Sequence, residues 1–382
     1  MKLTLKFLVG SVAMTFVGLL LLRPISAVPA QEESVALHGF VVYSQAINAQ
    51  NNKRGVKGRY DLFCESLPDH RVKRLIAYEH SQTFMGNVGP VAVDATGSFV
   101  AFLADKEPTQ VLPARRRLWI LRLRDNALLT FLKGITIQNY QWAPNGSRLA
   151  VVVKTSSGTK IFLVDPIKGR SVSTGIDSPL AWAWSPDARS IAYVEGGPHQ
   201  LCLFSLVAAR TLFHWGLAKL SDATVCFSSP GELLVLQGQT LYQATVGRPL
   251  KYMSTLGETI EAGQAAVSPA GDRLALETYI YETSDDPLSA LPLGVDRKIL
   301  VYGIRAKRFK ALRMWTNSAT FFPPTDSILG WSRDGRFLII THLPDDPKAL
   351  QLQLLAISNT GRSWPLFTSN ASISSLDWHE GR

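Results

Sequence analysis

Charged residues that could contact a partner occur in four short clusters. The basic clusters are Lys53, Arg54, Lys57 and Arg59, and Arg115, Arg116 and Arg117. The acidic clusters are Glu282, Asp285 and Asp286, and Asp345 and Asp346. Separate groups of opposite sign suit recognition of an extended or anionic partner through electrostatic complementarity. We therefore predict that these residues form a partner-binding rim, with simple solvation of an exposed surface as the alternative.

The residue types that bind metals or catalyse reactions do not occur in recognised spacings. The seven histidines form no H-x-H or H-E-x-x-H pattern. Neither acidic pair resembles a D-x-D-x-D-G calcium loop, and there is no G-x-S-x-G nucleophile motif. His379 beside Glu380 falls where related segments have an ordinary turn residue. The sequence thus predicts no catalytic residue, cofactor or metal, although dispersed catalytic residues would escape such pattern reading.

The cysteines give little information about chemistry. Cys64, Cys202 and Cys226 are too few and too scattered for a disulfide framework or a metal site. We expect buried free thiols, with oxidation of one pair left open in an oxidising compartment.

The N-terminus is typical of an export signal. Lys2 and Lys6 precede an uncharged apolar run at 7–22, and small residues lead to a cleavage site between Ala30 and Gln31. The run is 16 residues long, slightly short of a bilayer span. Residues 1–30 are therefore expected to be a cleaved signal peptide or an uncleaved membrane tether. Both place residues 31–382 outside the cytoplasm, in the periplasm or secreted. The net charge of +10 favours anionic partners, but nucleic acid is not expected there.

The elements that must position these charges belong to a unit that recurs along the chain. Its clearest copy is W-S-P-D-A-R-S-I-A-Y from Trp184, a strand end, a polar turn and a second strand. Related copies begin at Val93, Trp142, Phe227, Val267, Trp331 and Trp378. Successive starts are 49, 42, 43, 40, 64 and 47 residues apart, and a period of roughly 40–50 residues is typical of a β-propeller. The sequence predicts an all-β, seven-bladed propeller over residues 31–382, with a β-sandwich as the alternative.

The repeat also predicts long-range contacts. Blade 1 has only three strands after Gly39, and Ile373–Trp378 matches the missing innermost strand. The two ends of the chain are therefore expected to pair within one blade, which removes the open sheet edges. The tryptophans that open the turns are expected to pack between blades, and they are Trp142, Trp184, Trp331 and Trp378.

From Trp142 the repeat is specific enough to resemble a known family. Q-W-A-P-N-G-S-R-L-A-V is followed by T-K-I-F-L-V-D-P-I-K-G-R, which is similar to the WD-like propeller repeat of the TolB type. The matching residues are Trp142, Pro144, Gly146, Leu149, Ala150, Ile161, Asp165 and Gly169. That family includes periplasmic partner-binding proteins and propellers that cap oligopeptidases. We expect neither the α/β domain that precedes TolB propellers nor a hydrolase domain, so the resemblance implies an architecture and leaves function open.

The second-to-third-strand connections of all blades are expected to emerge on one face. Blades 6, 7, 1 and 2 carry long connections, including Tyr281–Lys298 and His342–Leu350, whereas blades 3, 4 and 5 carry short ones. The charged clusters fall in the long connections, which predicts a charge-separated wall around half of the mouth. The favoured hypothesis is an exported, non-catalytic scaffold that binds a protein or an anionic envelope polymer there. The alternative is an enzyme acting on a sugar, lactone or peptide in the central channel.

Overall fold

The chain folds into seven small antiparallel sheets. The computed structural model describes residues 37–52, 55–82, 91–104, 117–197, 199–217, 223–256, 260–282, 294–317, 327–342, 352–369 and 373–381. These residues form 28 strands and no helix, arranged as seven four-stranded sheets. No helix among them is suited to crossing a bilayer. The apolar run at 7–22 and the expected cleavage site lie outside the described residues.

Each sheet is one blade, with strands that follow each other in the chain except in blade 1. Blade 1 contains β1 (Gly39–Asn52), β2 (Gly55–Leu67), β3 (Val72–Gln82) and β28 (Ile373–Glu380). Blade 2 contains β4 (Val91–Val93), β5 (Phe99–Ala104), β6 (Arg117–Arg122) and β7 (Ala127–Phe131). Blade 3 contains β8 (Thr136–Trp142), β9 (Leu149–Thr155), β10 (Gly158–Asp165) and β11 (Arg170–Asp177). Blade 4 contains β12 (Pro179–Trp184), β13 (Ser190–Glu195), β14 (Gln200–Ser205) and β15 (Arg210–Gly216).

The remaining three blades repeat the same order. Blade 5 contains β16 (Ala223–Ser229), β17 (Glu232–Gln237), β18 (Thr240–Thr245) and β19 (Lys251–Thr255). Blade 6 contains β20 (Ile260–Val267), β21 (Arg273–Glu282), β22 (Gly294–Gly303) and β23 (Arg308–Asn317). Blade 7 contains β24 (Ser327–Trp331), β25 (Phe337–His342), β26 (Gln353–Ser358) and β27 (Ser363–Thr368). An all-β, seven-bladed propeller is therefore the observed fold.

A serine hydroxyl holds the turn between the first two strands of a blade. In blade 4, Ser185 Oγ accepts hydrogen bonds from the backbone N–H groups of Arg189 (3.2 Å) and Ser190 (2.8 Å). The same hydroxyl donates to Asp187 Oδ1 at 2.6 Å. Ser332 repeats this arrangement in blade 7. The repeat therefore contains serine and aspartate because the serine hydroxyl pairs with backbone N–H groups that the turn would leave without a partner, and the aspartate orients that hydroxyl.

Blade 2 achieves the same turn with a different side chain. Asp94 is buried there, and its Oδ1 accepts from the N–H groups of Ser98 and Phe99, both at 2.6 Å. A carboxylate replaces the hydroxyl, so the copy from Val93 keeps its geometry although its sequence has diverged.

The turn also requires a left-handed backbone at its fourth position. Gly146, Gly271 and Gly335 have φ values of 70°, 68° and 69°. Blade 4 has Ala188 at this position, with φ 56°. An alanine in this region costs on the order of 1 kcal/mol relative to its usual conformations, so blade 4 contains a strained turn.

Three of the tryptophans form the same hydrogen bond to the preceding blade. Each indole N–H donates to a backbone carbonyl on the innermost strand of the preceding blade. The acceptor is the residue just before the one that corresponds to the tryptophan in that blade's copy of the repeat. The pairs are Trp142 with Ala92 (3.0 Å), Trp184 with Gln141 (3.1 Å) and Trp331 with Ala266 (3.0 Å). Packing between blades, as the sequence predicted, is confirmed for these three residues.

The hydrophobic core lies between neighbouring blades. Clusters of buried side chains join blades 1 and 2, 2 and 3, 3 and 4, 4 and 5, 5 and 6, and 6 and 7. Between blades 7 and 1, the rings of Phe367 and Tyr43 lie 5.2 Å apart. The second strand β5 is buried along its whole length, because a sheet covered on both faces needs continuous rather than alternating apolar residues.

Blade 1 is assembled from distant parts of the chain. Strands β1 and β28 pair antiparallel, with Val41 opposite Trp378. The N–H of Gly381 donates to the carbonyl of His38 at 2.8 Å, and the N–H of Arg333 in blade 7 donates to the Glu380 carboxylate at 2.5 Å. This pairing supports the expectation that the two ends share one blade.

Gly39 is essential to this junction. A Cβ atom on Gly39 would lie 2.0 Å from the carbonyl oxygen of His379. That oxygen belongs to the backbone of the paired strand, so it cannot move aside as a flexible side chain would. The first residue of β1 must therefore be glycine.

Candidate functional site

The strand order gives the propeller two different faces. We call the loop face the side where second strands end and third strands begin, together with the blade-to-blade links. We call the turn face the opposite side, which carries the turns between first and second strands and between third and fourth strands. The second strands reach the loop face at Asn52, Ala104, Thr155, Glu195, Gln237, Glu282 and His342.

Most residues of the predicted rim fall outside the described part of the chain. These are Lys53, Arg54, Arg115, Arg116, Asp285, Asp286, Asp345 and Asp346. Arg117 is described, and its exposed side chain starts β6 at the loop face. The described residues that flank each charged segment also lie at the loop face. The combined action of the twelve residues remains a prediction.

Lys57 and Arg59 lie in a strand and not in the expected loop. They belong to β2 and pair with Gln50 and Ile47 of β1. The ladder continues to the pair Asn52 and Gly55. The sequence at 50–59 is mostly polar, so it lacks the apolar alternation by which a strand is recognised.

The long connection of blade 6 is also shorter than expected. We predicted a connection at Tyr281–Lys298, whereas β21 continues to Glu282 and β22 begins at Gly294. Residues 294–298 pair with β21. Val295 is the only large apolar residue among them, so this sequence also lacks the apolar alternation of a recognisable strand.

Blades 1 and 6 are taller than the others at the loop face. Their second strands have 14 and 10 residues, whereas those of blades 2, 3, 4, 5 and 7 have 6 or 7. At about 3.3 Å per residue, the extra length amounts to roughly 25 Å in blade 1 and roughly 13 Å in blade 6. The two tall blades stand on either side of blade 7, so the loop face is strongly asymmetric.

The turn face carries a ring of basic side chains that sequence reasoning missed. In six of the seven blades, an exposed arginine or lysine opens the fourth strand or directly precedes it. These residues are Arg71, Arg170, Arg210, Lys251, Arg308 and Arg362. Aligning the chain on its third-to-fourth-strand turns, and not only on the W-S-P-D turns, would have revealed this pattern.

The acidic groups of the turn face are occupied by local hydrogen bonds. Asp165 Oδ1 accepts from the N–H groups of Ile167 (3.1 Å) and Lys168 (2.9 Å). Asp272 accepts from the Ser268 hydroxyl at 2.7 Å, and this bond lowers the pKa of Asp272 despite partial burial. These carboxylates stabilise turns, and in the described part of the chain none lies within ion-pair distance of Arg170 or Arg210.

Exposed aliphatic side chains occur beside the basic ones in three consecutive blades. Ile167 in blade 3 is 75% exposed, Val207 in blade 4 is 82% exposed and Val246 in blade 5 is 38% exposed. Each is followed within three residues by an exposed arginine, at Arg170, Arg210 and Arg248 respectively. We call these three third-to-fourth-strand turns, residues 166–170, 206–210 and 246–251, the amphipathic tips.

The thiols are not suited to nucleophilic chemistry. All three cysteines are free, as the sequence suggested, but only Cys202 is fully buried, whereas Cys64 and Cys226 are partly buried. Burial raises the pKa of Cys64 to about 11 and that of Cys226 to about 12. At neutral pH both are therefore neutral thiols, which are poor nucleophiles.

Other ionisable side chains inside the described residues have structural surroundings. The ring of His379 lies 5.1 Å from that of Phe40, which agrees with a packing role. Asp377 on β28 accepts the Val93 N–H at 2.7 Å across the boundary to blade 2, and burial raises its pKa to about 6. Glu277 is buried midway along β21, and His342 is buried at the loop-face end of β25. No group of three or more His, Cys, Asp or Glu within the described ranges is placed to hold a metal ion.

The fold and surfaces define a seven-bladed β-propeller that is raised at blades 1 and 6 on its loop face and carries a ring of basic side chains on its turn face. The chain resembles the periplasmic gluconolactonase of Pseudomonas aeruginosa, with 14% identity, 90% of this chain and 99% of that chain covered, and a TM-score of 0.55. It also resembles a protein of unknown function from Desulfotomaculum acetoxidans DSM 771, with 10% identity, 90% and 100% coverage, and a TM-score of 0.53. A third similar structure is TolB from Acinetobacter baumannii, with 14% identity, 89% and 82% coverage, and a TM-score of 0.49.

At these identities the likeness concerns the fold alone. No protein-family model and no curated protein sequence matches the chain.

Proposed function

We propose that this chain is an extracytoplasmic, TolB-like propeller that acts as a non-catalytic scaffold and binds a protein or an anionic envelope polymer at its loop face. The export signal at residues 1–30 supports the location. The main support for the binding site is the height of blades 1 and 6. They project beyond blade 7 on both of its sides, whereas the other blades are shorter at this face. A rigid ring with one raised side offers a partner a fixed and directional surface.

Charge reversal at the start of β6 tests this proposal. The triple variant Arg115→Glu, Arg116→Glu and Arg117→Glu replaces a basic segment at the loop face by an acidic one. We expect it to lose the polypeptide or polymer that the unchanged chain captures from detergent-solubilised envelope extract, because like charges oppose docking. Capture of the same species at undiminished yield would contradict the proposal.

The chain offers a matched control on the opposite face. Arg305→Glu, Lys307→Glu and Arg308→Glu change the net charge by the same amount within the blade 6 turn. This variant should capture the partner as the unchanged chain does. Loss of capture in both variants would assign the effect to net charge and not to the loop face.

A catalytic alternative rests on two buried groups. Glu277 and His342 are 5% and 7% exposed, and they lie on second strands of the adjacent blades 6 and 7. Carboxyl and imidazole groups are the groups that general acid–base chemistry most often uses. A similar structure is a gluconolactonase, so lactone hydrolysis is the activity to assay. Turnover lost in both Glu277→Gln and His342→Ala, with unchanged melting temperature, would favour this alternative over the scaffold.

A further inference from the structure

We propose that the turn face docks on a lipid bilayer rich in acidic headgroups, with the amphipathic tips of blades 3, 4 and 5 at the point of contact. This surface is distinct from the loop face. Membrane docking is therefore independent of the proposed scaffold function.

The first support is an excess of positive charge. The third-to-fourth-strand turns of blades 4 to 7 contain arginine or lysine and no aspartate or glutamate. In blade 3 the turn carries Lys168 and Arg170 beside the single carboxylate of Asp165. Their basic side chains are exposed, and they occupy equivalent positions around one face. A ring of cations at one level matches a flat anionic surface, and each such residue near acidic lipid contributes on the order of 1 kcal/mol.

The second support is the aliphatic residue at each tip. A single exposed valine or isoleucine is ordinary on a protein surface. Ile167 and Val207, however, occupy the same turn position in neighbouring blades, and both lie next to exposed cations. This combination of an apolar side chain with flanking positive charge is what an interfacial membrane contact requires.

The tips are also held in place before any contact. Asp165 fixes the turn of Ile167 through two backbone N–H groups. The indole N–H of Trp215 near the end of β15 donates to the carbonyl of Arg248 at 2.8 Å, which ties the tip of blade 5 to blade 4. Such preorganisation lowers the entropic cost of binding.

The entry of the chain points to the same face. Strand β1 begins at Gly39 on the turn face, next to Glu380. The apolar run at 7–22 is joined to Gly39 by residues 23–38, which span at most roughly 55 Å when extended. A retained N-terminal anchor would therefore be tethered to the propeller through the turn-face end of β1. The contact proposed here does not require the anchor to be retained.

Site-specific labelling of blade 4 tests the proposal in the full chain. Val207→Cys places an environment-sensitive fluorophore at the tip, and Leu180→Cys places it on the loop face of the same blade, where Leu180 is 57% exposed. A chain without an introduced cysteine corrects for label on the native thiols. The probes are phosphatidylcholine vesicles with and without phosphatidylglycerol, both containing a spin-labelled lipid as quencher.

We expect a blue shift and quenching at position 207 with the acidic vesicles, and neither at position 180. High salt should weaken the signal, because it screens exposed charges. Arg170→Ala and Arg210→Ala should each lower the apparent vesicle affinity roughly fivefold, which corresponds to about 1 kcal/mol per residue. Ile167→Ser should weaken quenching while salt sensitivity remains.

Three results would overturn the proposal. One is absence of quenching at position 207 with acidic vesicles, whether or not the protein is membrane-bound. Another is equal quenching at positions 180 and 207. The third is a response of the position 207 label to a soluble acidic polysaccharide but not to vesicles, which would assign the basic ring to a polymer.

Discussion

The loop face and the turn face are built from the same strands but by different rules. At the turn face, Ser185, Ser332 and Asp94 satisfy the backbone of each turn, and the residues around them repeat from blade to blade. At the loop face, the second strands vary from 6 to 14 residues. The repeated face therefore maintains the ring, while the variable face is free to acquire a specific partner.

Removal of β28 is expected to have the largest effect on stability. Deletion of residues 373–382 leaves β1 without its inner neighbour and leaves the Arg333 N–H without the Glu380 carboxylate. We expect loss of the cooperative unfolding transition, because blade 1 can no longer join blades 7 and 2. Calorimetry measures this.

A loop-face deletion of similar size is the control. Replacing residues 283–293 by a two-residue turn should lower the melting temperature by only a few degrees. An unchanged melting temperature after removal of residues 373–382 would show that the ring does not depend on the paired ends.

A single methyl group at the junction gives the next largest effect. Gly39→Ala would place Cβ 2.0 Å from a backbone oxygen of β28, and we expect a loss of about 3 kcal/mol in the free energy of unfolding. The matched control is Gly381→Ala, since its Cβ would meet only ordinary contacts at 3.4 Å or more. Chemical denaturation measures both, and equal effects would disprove the role of the close approach.

The protonation of Asp377 makes the free energy of unfolding depend on pH. Burial raises the pKa of Asp377 from 3.8 to about 6. The folded state then binds a proton that the unfolded chain has already released, so the free energy of unfolding falls as pH rises through this interval. Asp377→Asn should remove this fall, as measured by urea unfolding across the pH range.

Asp272 on the turn face provides a control of opposite sign. Its pKa is lowered, chiefly by the Ser268 hydroxyl. Its contribution to stability is therefore present above its unfolded pKa and is lost as pH falls. Asp272→Asn should remove that loss at low pH. If Asp377→Asn changes the pH profile in the same direction as Asp272→Asn, the raised pKa of Asp377 is wrong.

The smallest effect is expected at the strained turn of blade 4. Ala188→Gly should stabilise the protein by about 0.5 kcal/mol, since glycine adopts the left-handed conformation without cost but loses more entropy on folding. Gly335→Ala is the reverse change at the equivalent position and should destabilise. Thermal unfolding of both variants tests whether the two turns follow one rule.

The sequence predicted the ring because its turn chemistry is local. Serine, aspartate and glycine at fixed spacing specify the turn wherever they occur. The turn at Asp94 has a diverged sequence, but its spacing from the next copy of the repeat still identifies it. The height of blade 1 escaped prediction, because the polar sequence around Lys57 and Arg59 lacks the apolar alternation by which a strand is recognised. The basic ring escaped as well, since Arg170 and Arg210 come together only once the blades are arranged around a common axis.

The pairing of β1 with β28 also has a consequence for biogenesis. More than three hundred residues separate the two strands, so β1 leaves the ribosome long before its neighbour exists. During that interval its inner edge is open to mispairing with other chains. Folding of this protein should therefore depend on a chaperone that shields the first blade until the ring can close.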